Sequence, residues 1–85
     1  MRIWVEIVLD GKTETLHRVF GVVAIHAPNV EEIHMSRAPQ REVGRMSLAL
    51  EGEIDSRDLI VALLRDHCVR AASVVRELHN LTGPL

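Results

Sequence analysis

The hydrophobic period of this chain changes at Asp10-Gly11-Lys12, and that change limits the folds open to it more than any other feature. Before it, Ile3, Val5, Ile7 and Leu9 alternate with Arg2, Trp4, Glu6 and Val8, the period of two of a half-buried strand over Arg2–Leu9. After it, Leu16, Val19, Phe20, Val23 and Ala27 recur at i, i+3, i+4, i+7 and i+11, one stripe of an amphipathic helix. Thr13 is the expected N-cap, and Glu14 suits the first turn, where a carboxylate meets the positive end of the helix dipole. Pro28 disfavours helical geometry at Ala27, so the helix should end near His26. Gly21 inside it costs ~1 kcal/mol relative to alanine, which implies that another element approaches closely there.

The same switch then happens a second time. Val30–Arg37 reads as a strand with Ile33 and Met35 on one face and Glu32 and His34 on the other, and Ala38–Glu42 is a polar connection. Met46, Leu48 and Leu50 alternate with Arg45, Ser47 and Ala49 before Glu51-Gly52-Glu53 ends the strand. Asp55 or Ser56 caps a second helix with Asp58 in its first turn, and Leu59, Ile60, Leu63, Leu64 and His67 are expected along its buried side. In a last strand over Val69–Arg76, Val69, Ala71, Ser73 and Val75 alternate with Arg70, Ala72, Val74 and Arg76.

The order is β-α-β-β-α-β. Two interleaved right-handed crossovers of this kind give an α+β two-layer sandwich, the ferredoxin-like split fold, with a four-stranded antiparallel sheet and both helices on one face. Eighty-five residues hold one such domain, read as residues 1–77 with a flexible tail at 78–85. Trp4, Val8, Ala49, Ala72 and Val74 are then expected on the uncovered face, and so small a core predicts a homodimer.

Composition removes several functions. A formal net charge of −2, with one Trp, one Phe and no Tyr, offers neither a grip on phosphates nor a platform for bases, so no nucleic-acid partner is expected. Apolar runs reach five or six residues, far short of the ~20 that span a bilayer, so no membrane partner is expected and a cytoplasmic location is. Cys68 stands alone and forms no internal disulfide.

Catalytic chemistry finds little support. The five histidines, His17, His26, His34, His67 and His79, are scattered, with no i, i+4 pair and no CxxC. Asp66-His67-Cys68 holds three ligand types in a row, but neighbours on a helix point apart, so no metal and no cofactor is expected. Ser36, Ser47, Ser56 and Ser73 lack a nucleophile-elbow context, and Glu31 and Glu32 on a strand face opposite ways. The chain reads as a non-enzyme.

Two places retain interest. At Asp10–Glu14 a loop enters a helix N-terminus, either an anion site for a small carboxylate or a plain cap. Asn29, between Pro28 and a strand, is either a turn residue or a polar contact to a neighbouring subunit or ligand.

Three segments carry a family resemblance. Leu16-x-Arg18-Val19-x-Gly21-Val22-Val23, Asn29-Val30-Glu31-x-Ile33 and Gly44-Arg45-Met46-Ser47-Leu48, in register and without a gap over about residues 3–76, resemble the ACT domain of the small regulatory subunit of acetohydroxyacid (acetolactate) synthase. Glu14-Thr15-Leu16 is similar to the loop of the short, single-domain members. The resemblance implies the fold already derived and a non-catalytic regulatory subunit of branched-chain amino-acid biosynthesis. It implies a side-by-side homodimer through the first helix and second strand, here Leu16, Val19, Phe20, Gly21 and Ile33. It also implies binding and activation of the thiamine-diphosphate-dependent catalytic large subunit.

The effector site it implies is Asp10, Gly11, Lys12, Thr13 and Glu14, with Asn29 and Val30 of the partner subunit, and an amino acid is the expected effector. Gly11 replaces the family's loop asparagine, and Glu14 replaces a glycine where backbone approaches the ligand. The added negative charge costs on the order of a few kcal/mol beside a ligand carboxylate, so weak or absent valine feedback is expected. The alternative is a stand-alone ACT module for an amino acid or other small effector. A third reading is a split-fold protein whose open sheet face recruits some other partner.

Overall fold

Every second residue of β1 (Arg2–Leu9) is fully buried, and the rest of the molecule is arranged around that face. The computed structural model describes residues 1–38 and 43–78. After β1 come α1 (Thr13–His26), β2 (Asn29–Ala38), β3 (Val43–Glu51), α2 (Ser56–Leu64) and β4 (Val69–Leu78). The strands form one antiparallel sheet in the order β2-β3-β1-β4, which is the ferredoxin-like βαββαβ architecture expected from the alternating periods. Among the described residues no helix is long and apolar enough to cross a membrane.

The core lies between the helices and the inward face of the two central strands. Ile3, Val5, Ile7 and Leu9 of β1 and Met46, Leu48 and Leu50 of β3 meet Val19 and Val23 of α1 and Leu59 and Leu63 of α2. Of the two candidate caps of α2 it is Asp55 and not Ser56, its carboxylate accepting the Asp58 N–H at 3.1 Å. α1 ends at His26, where Pro28 stops it, and the Ala27 N–H still reaches the Val23 carbonyl.

Several expectations need correction. The N-cap of α1 is Lys12 and not Thr13, and no side chain caps it. Phe20 is exposed at the flank, and the buried stripe is Thr15, Val19 and Val23, with Leu16 and Val22 packed beside it. A Cβ at Gly21 would meet nothing within 4 Å, so among the described residues no element approaches there. α2 stops at Leu64, and His67 is exposed in the following turn and not on the helix's buried side.

The last strand departs most. Leu9 pairs with Val69 but Val8 with Ala71, and Trp4 pairs with Arg76 but Val5 with Val74. Two register shifts therefore leave Arg70 and Val75 as extra residues, and each extra residue reverses the alternation that follows. Ala72 and Val74 consequently pack against the core and not on the uncovered face, while Val75 is exposed. Ala49 does lie on the uncovered side, between Trp4 and Glu32 on the flanking strands, but it is fully buried there. β4 also runs through Leu78, into the stretch expected as tail; the rest of that stretch, 79–85, lies outside the described residues, as do 39–42 of the expected connection.

Candidate effector site

The β1–α1 loop can turn sharply because Gly11 adopts φ +77°, a left-handed conformation that a side chain would strain. It lies close against Gly44 at the start of β3, where an added Cβ would come within 3.1 Å of the Gly11 Cα. The Arg37 side chain of β2 borders the same spot. Gly44, the first residue of the third motif, thus supports the loop from beneath.

Asp10 anchors the helix start in place of a cap. Its carboxylate accepts the Lys12 N–H at 3.0 Å. A hydrogen bond from the Thr15 hydroxyl, then the Lys12 N–H, hold its pKa down at about 2, with the Cys68 thiol adding to them. Thr15, the one buried polar side chain among the described residues, is 1% exposed. It also accepts a hydrogen bond at 3.3 Å from Arg18, one turn along the helix. Arg18 reaches across to the turn after α2, where its Nε donates to Asp66 Oδ2 at 2.7 Å. This pairing, then the Cys68 N–H at 2.9 Å, lowers the pKa of Asp66, and Asp66 in turn raises that of Arg18.

A polar lattice of Asp10, Thr15, Arg18, Asp66 and Cys68 therefore ties the start of α1 to the α2–β4 turn. In the sequence Arg18 and Thr15 stand inside the family-like segments Leu16–Val23 and Glu14-Thr15-Leu16 with no role of their own. Their i, i+3 spacing on one helix face was the available signal.

The expected effector residues divide between two ends of the molecule. Asp10, Gly11, Lys12, Thr13 and Glu14 form one continuous junction. Asn29 and Val30 open β2 beside Glu51 and Leu50, at the other end of the 14-residue α1, roughly 21 Å away along its axis. One protomer does not bring the two groups together.

Of the residues expected at a dimer interface, Val19 is 1% exposed and faces its own core, and Leu16 packs partly against that core. Phe20, Gly21 and Ile33 are exposed. β2 is an edge strand, and Ile33 and Met35 pair across it with the core residues Leu48 and Met46, so their side chains emerge on the helix-bearing side. Both are open to solvent, Ile33 to 50%.

The opposite face is polar. A β2 register shift at Glu31 defeats the simple alternation, and both Glu31 and Glu32 reach Arg2, at 2.9 and 3.8 Å. Trp4 stacks on His34 with ring centroids 6.4 Å apart. A shallow groove of about 260 Å³ runs beside Trp4, Glu6, Ser47, Val75 and Arg76.

Solved structures now place this architecture. The ACT domain of GTP pyrophosphokinase from Chlorobium tepidum matches with a TM-score of 0.72 at 16% identity, covering 88% of this chain and 97% of that one. The chain has the ACT fold. The small subunit of acetolactate synthase from Thermotoga maritima matches with a TM-score of 0.70 at 13% identity over 87% of this chain, which spans 47% of that subunit. An uncharacterised Thermotoga maritima protein matches with a TM-score of 0.68 at 13% identity, covering 88% of this chain and 96% of that one. No protein-family model matches the sequence, and no curated protein matches it. At these identities the likeness concerns the fold, and the role of this ACT-fold chain rests on its own residues.

Proposed function

We propose that this chain is a non-catalytic, cytoplasmic regulatory subunit that dimerises through α1 and β2 and activates the catalytic subunit of an acetohydroxyacid synthase. The observation that carries the reading is where the three motif segments fall. They occupy α1, the start of β2 and β3, the elements that build the open flank and support the Asp10–Glu14 junction. The small subunit of acetolactate synthase, which shares this fold, supports the same assignment.

A second copy packed antiparallel along α1 answers two features of the protomer. It covers Phe20, Ile33 and Met35, and the empty space over Gly21 admits its backbone. It also carries Asn29 and Val30 of the partner subunit to the Asp10–Glu14 junction, completing the effector site. In that completed site Asp10 is ionised throughout the physiological range and Glu14 stands in the first helical turn. Two carboxylates beside Lys12 disfavour the carboxylate of valine, so feedback by branched-chain amino acids is weak or absent.

The test is acetolactate formation by the catalytic subunit of the same organism, with and without this chain, repeated with valine. Activation that valine leaves unchanged is expected. Activation with valine inhibition would refute the account of the junction and keep the subunit role. No complex and no activation would sink the subunit role and favour the second reading, a stand-alone ACT module, whose ligand would then show itself by raising the melting temperature.

A further inference from the structure

The turn between α2 and β4 brings together three side chains of different ligand chemistry. The carboxylate of Asp66, the imidazole of His67 and the thiol of Cys68 offer ligand atoms that all lie within 4.8 Å of one another. On a helix, three successive residues would splay around the axis. Here α2 has already ended at Leu64, so the three follow a turn instead, and the argument that sets adjacent ligands apart does not apply. The turn is pinned by the Asp66 N–H to the Leu63 carbonyl at 3.2 Å, the Val69 N–H to the Asp66 carbonyl at 2.9 Å, and the Cys68 N–H to Asp66 Oδ1 at 2.9 Å.

A second carboxylate approaches the thiol from a separate segment. The Asp10 N–H donates to the Cys68 carbonyl at 3.2 Å, which fixes the β1–α1 loop against the turn and sets the Asp10 carboxylate next to the thiol. We propose that Asp66, His67 and Cys68, completed by Asp10, form a binding site for a divalent transition-metal ion of the zinc type.

The donor set decides the class of ion. A thiolate and an imidazole with two carboxylates suit zinc, cobalt or nickel, whereas magnesium and calcium prefer oxygen alone. Ligands at roughly 2.0–2.3 Å from a tetrahedral ion stand about 3.3–3.8 Å apart, so the ligand atoms of Asp66, His67 and Cys68, within 4.8 Å of one another, close on an ion with side-chain movements of about 1 Å. Arg18 does not exclude the ion. It donates to both oxygens of Asp66, Nε to Oδ2 at 2.7 Å and a terminal guanidinium nitrogen to Oδ1 at 3.3 Å, and Oδ1 also accepts the Cys68 N–H; Oδ2 therefore keeps the lone pair open to an ion, on a carboxylate that its hydrogen-bond partners hold in place. Binding deprotonates the Cys68 thiol, and the proton leaves to solvent. The ion cross-links the start of α1 to the α2–β4 turn, and the site does not depend on the accessory-subunit reading.

The experiment titrates the full chain with cobalt(II) and then displaces it with zinc(II). One cobalt per chain is expected, with the visible bands of a tetrahedral ion, a near-ultraviolet thiolate-to-cobalt band, and a higher melting temperature with either metal. Cys68→Ser should abolish the near-ultraviolet band. His67→Ala, at an exposed position that the fold does not need, and Asp10→Asn should each weaken binding at least tenfold, while His17→Ala should leave it unchanged. The proposal is overturned by the absence of a thiolate band, or by a band whose affinity is the same in wild type, His67→Ala and Asp66→Asn. Either result would reduce the cluster to a lone thiol.

Discussion

β2 presents two faces of opposite character. On the side away from the helices, Glu32 pairs with Arg2 and lies near His34, and His34 stacks on Trp4. On the helix-bearing side the same strand shows Val30, Ile33 and Met35 to solvent, next to a helix that leaves Phe20 uncovered. The first face is complete in one protomer, because its charges have partners and its aromatic ring has a neighbour. Among the described residues the second has apolar surface that nothing covers, and an edge strand with no strand paired on its outer side. An open sheet face is therefore a weaker argument for association than an open strand edge beside an apolar helix.

The largest expected effect breaks the apolar side. Ile33→Asp should leave the protomer folded, since Ile33 is half-exposed, and should weaken the proposed self-association by about a hundredfold or more, because it places a charge without a partner in the proposed interface. His34→Asp, one residue along on the polar face, should leave association intact. Analytical ultracentrifugation of both variants decides, and equal loss in the two would remove the distinction between the faces.

Trp4→Ala tests the polar face and should cost about 1–2 kcal/mol by losing the His34 stack and half-buried ring area. Chemical denaturation measures it, and self-association in the ultracentrifuge should match that of the wild type.

Acid should act outside both faces, at the lattice that holds the start of α1. The folded-state pKa of Asp10 is lowered from 3.8 to about 2, and that of Asp66 is also lowered. Each contributes stability that is fully present above the unfolded-state pKa and is lost as pH falls through the folded one. The melting temperature should therefore fall between about pH 4 and about pH 2, with a shallower slope in Asp10→Asn. An unchanged slope in that variant would show that Asp10 is not held as described.

The smallest effect belongs to Arg45→Ala, which removes an exposed ion pair to Glu6 at 3.8 Å and should change stability by less than about 0.5 kcal/mol.

The element order, the buried faces of β1 and β3, the Asp55 cap and the stop at Pro28 were all legible in the sequence. Each depends on residues within one or two turns of each other, where period and capping chemistry act locally. That Asp10–Glu14 joins β1 to α1 was legible too, but not the shift of its cap from Thr13 to Lys12, nor the meeting of Thr15, Arg18 and Asp66 across the 48 positions of sequence between Arg18 and Asp66. Tertiary structure alone decided which way β4 faces. Its side chains alternate by themselves, yet the register shifts at Arg70 and Val75 are set by pairing with β1, and each one turns the following residues to the other side. It likewise decided that Asp66, His67 and Cys68 converge, because the residue at which α2 stops determines whether three neighbours splay around a helix or gather in a turn.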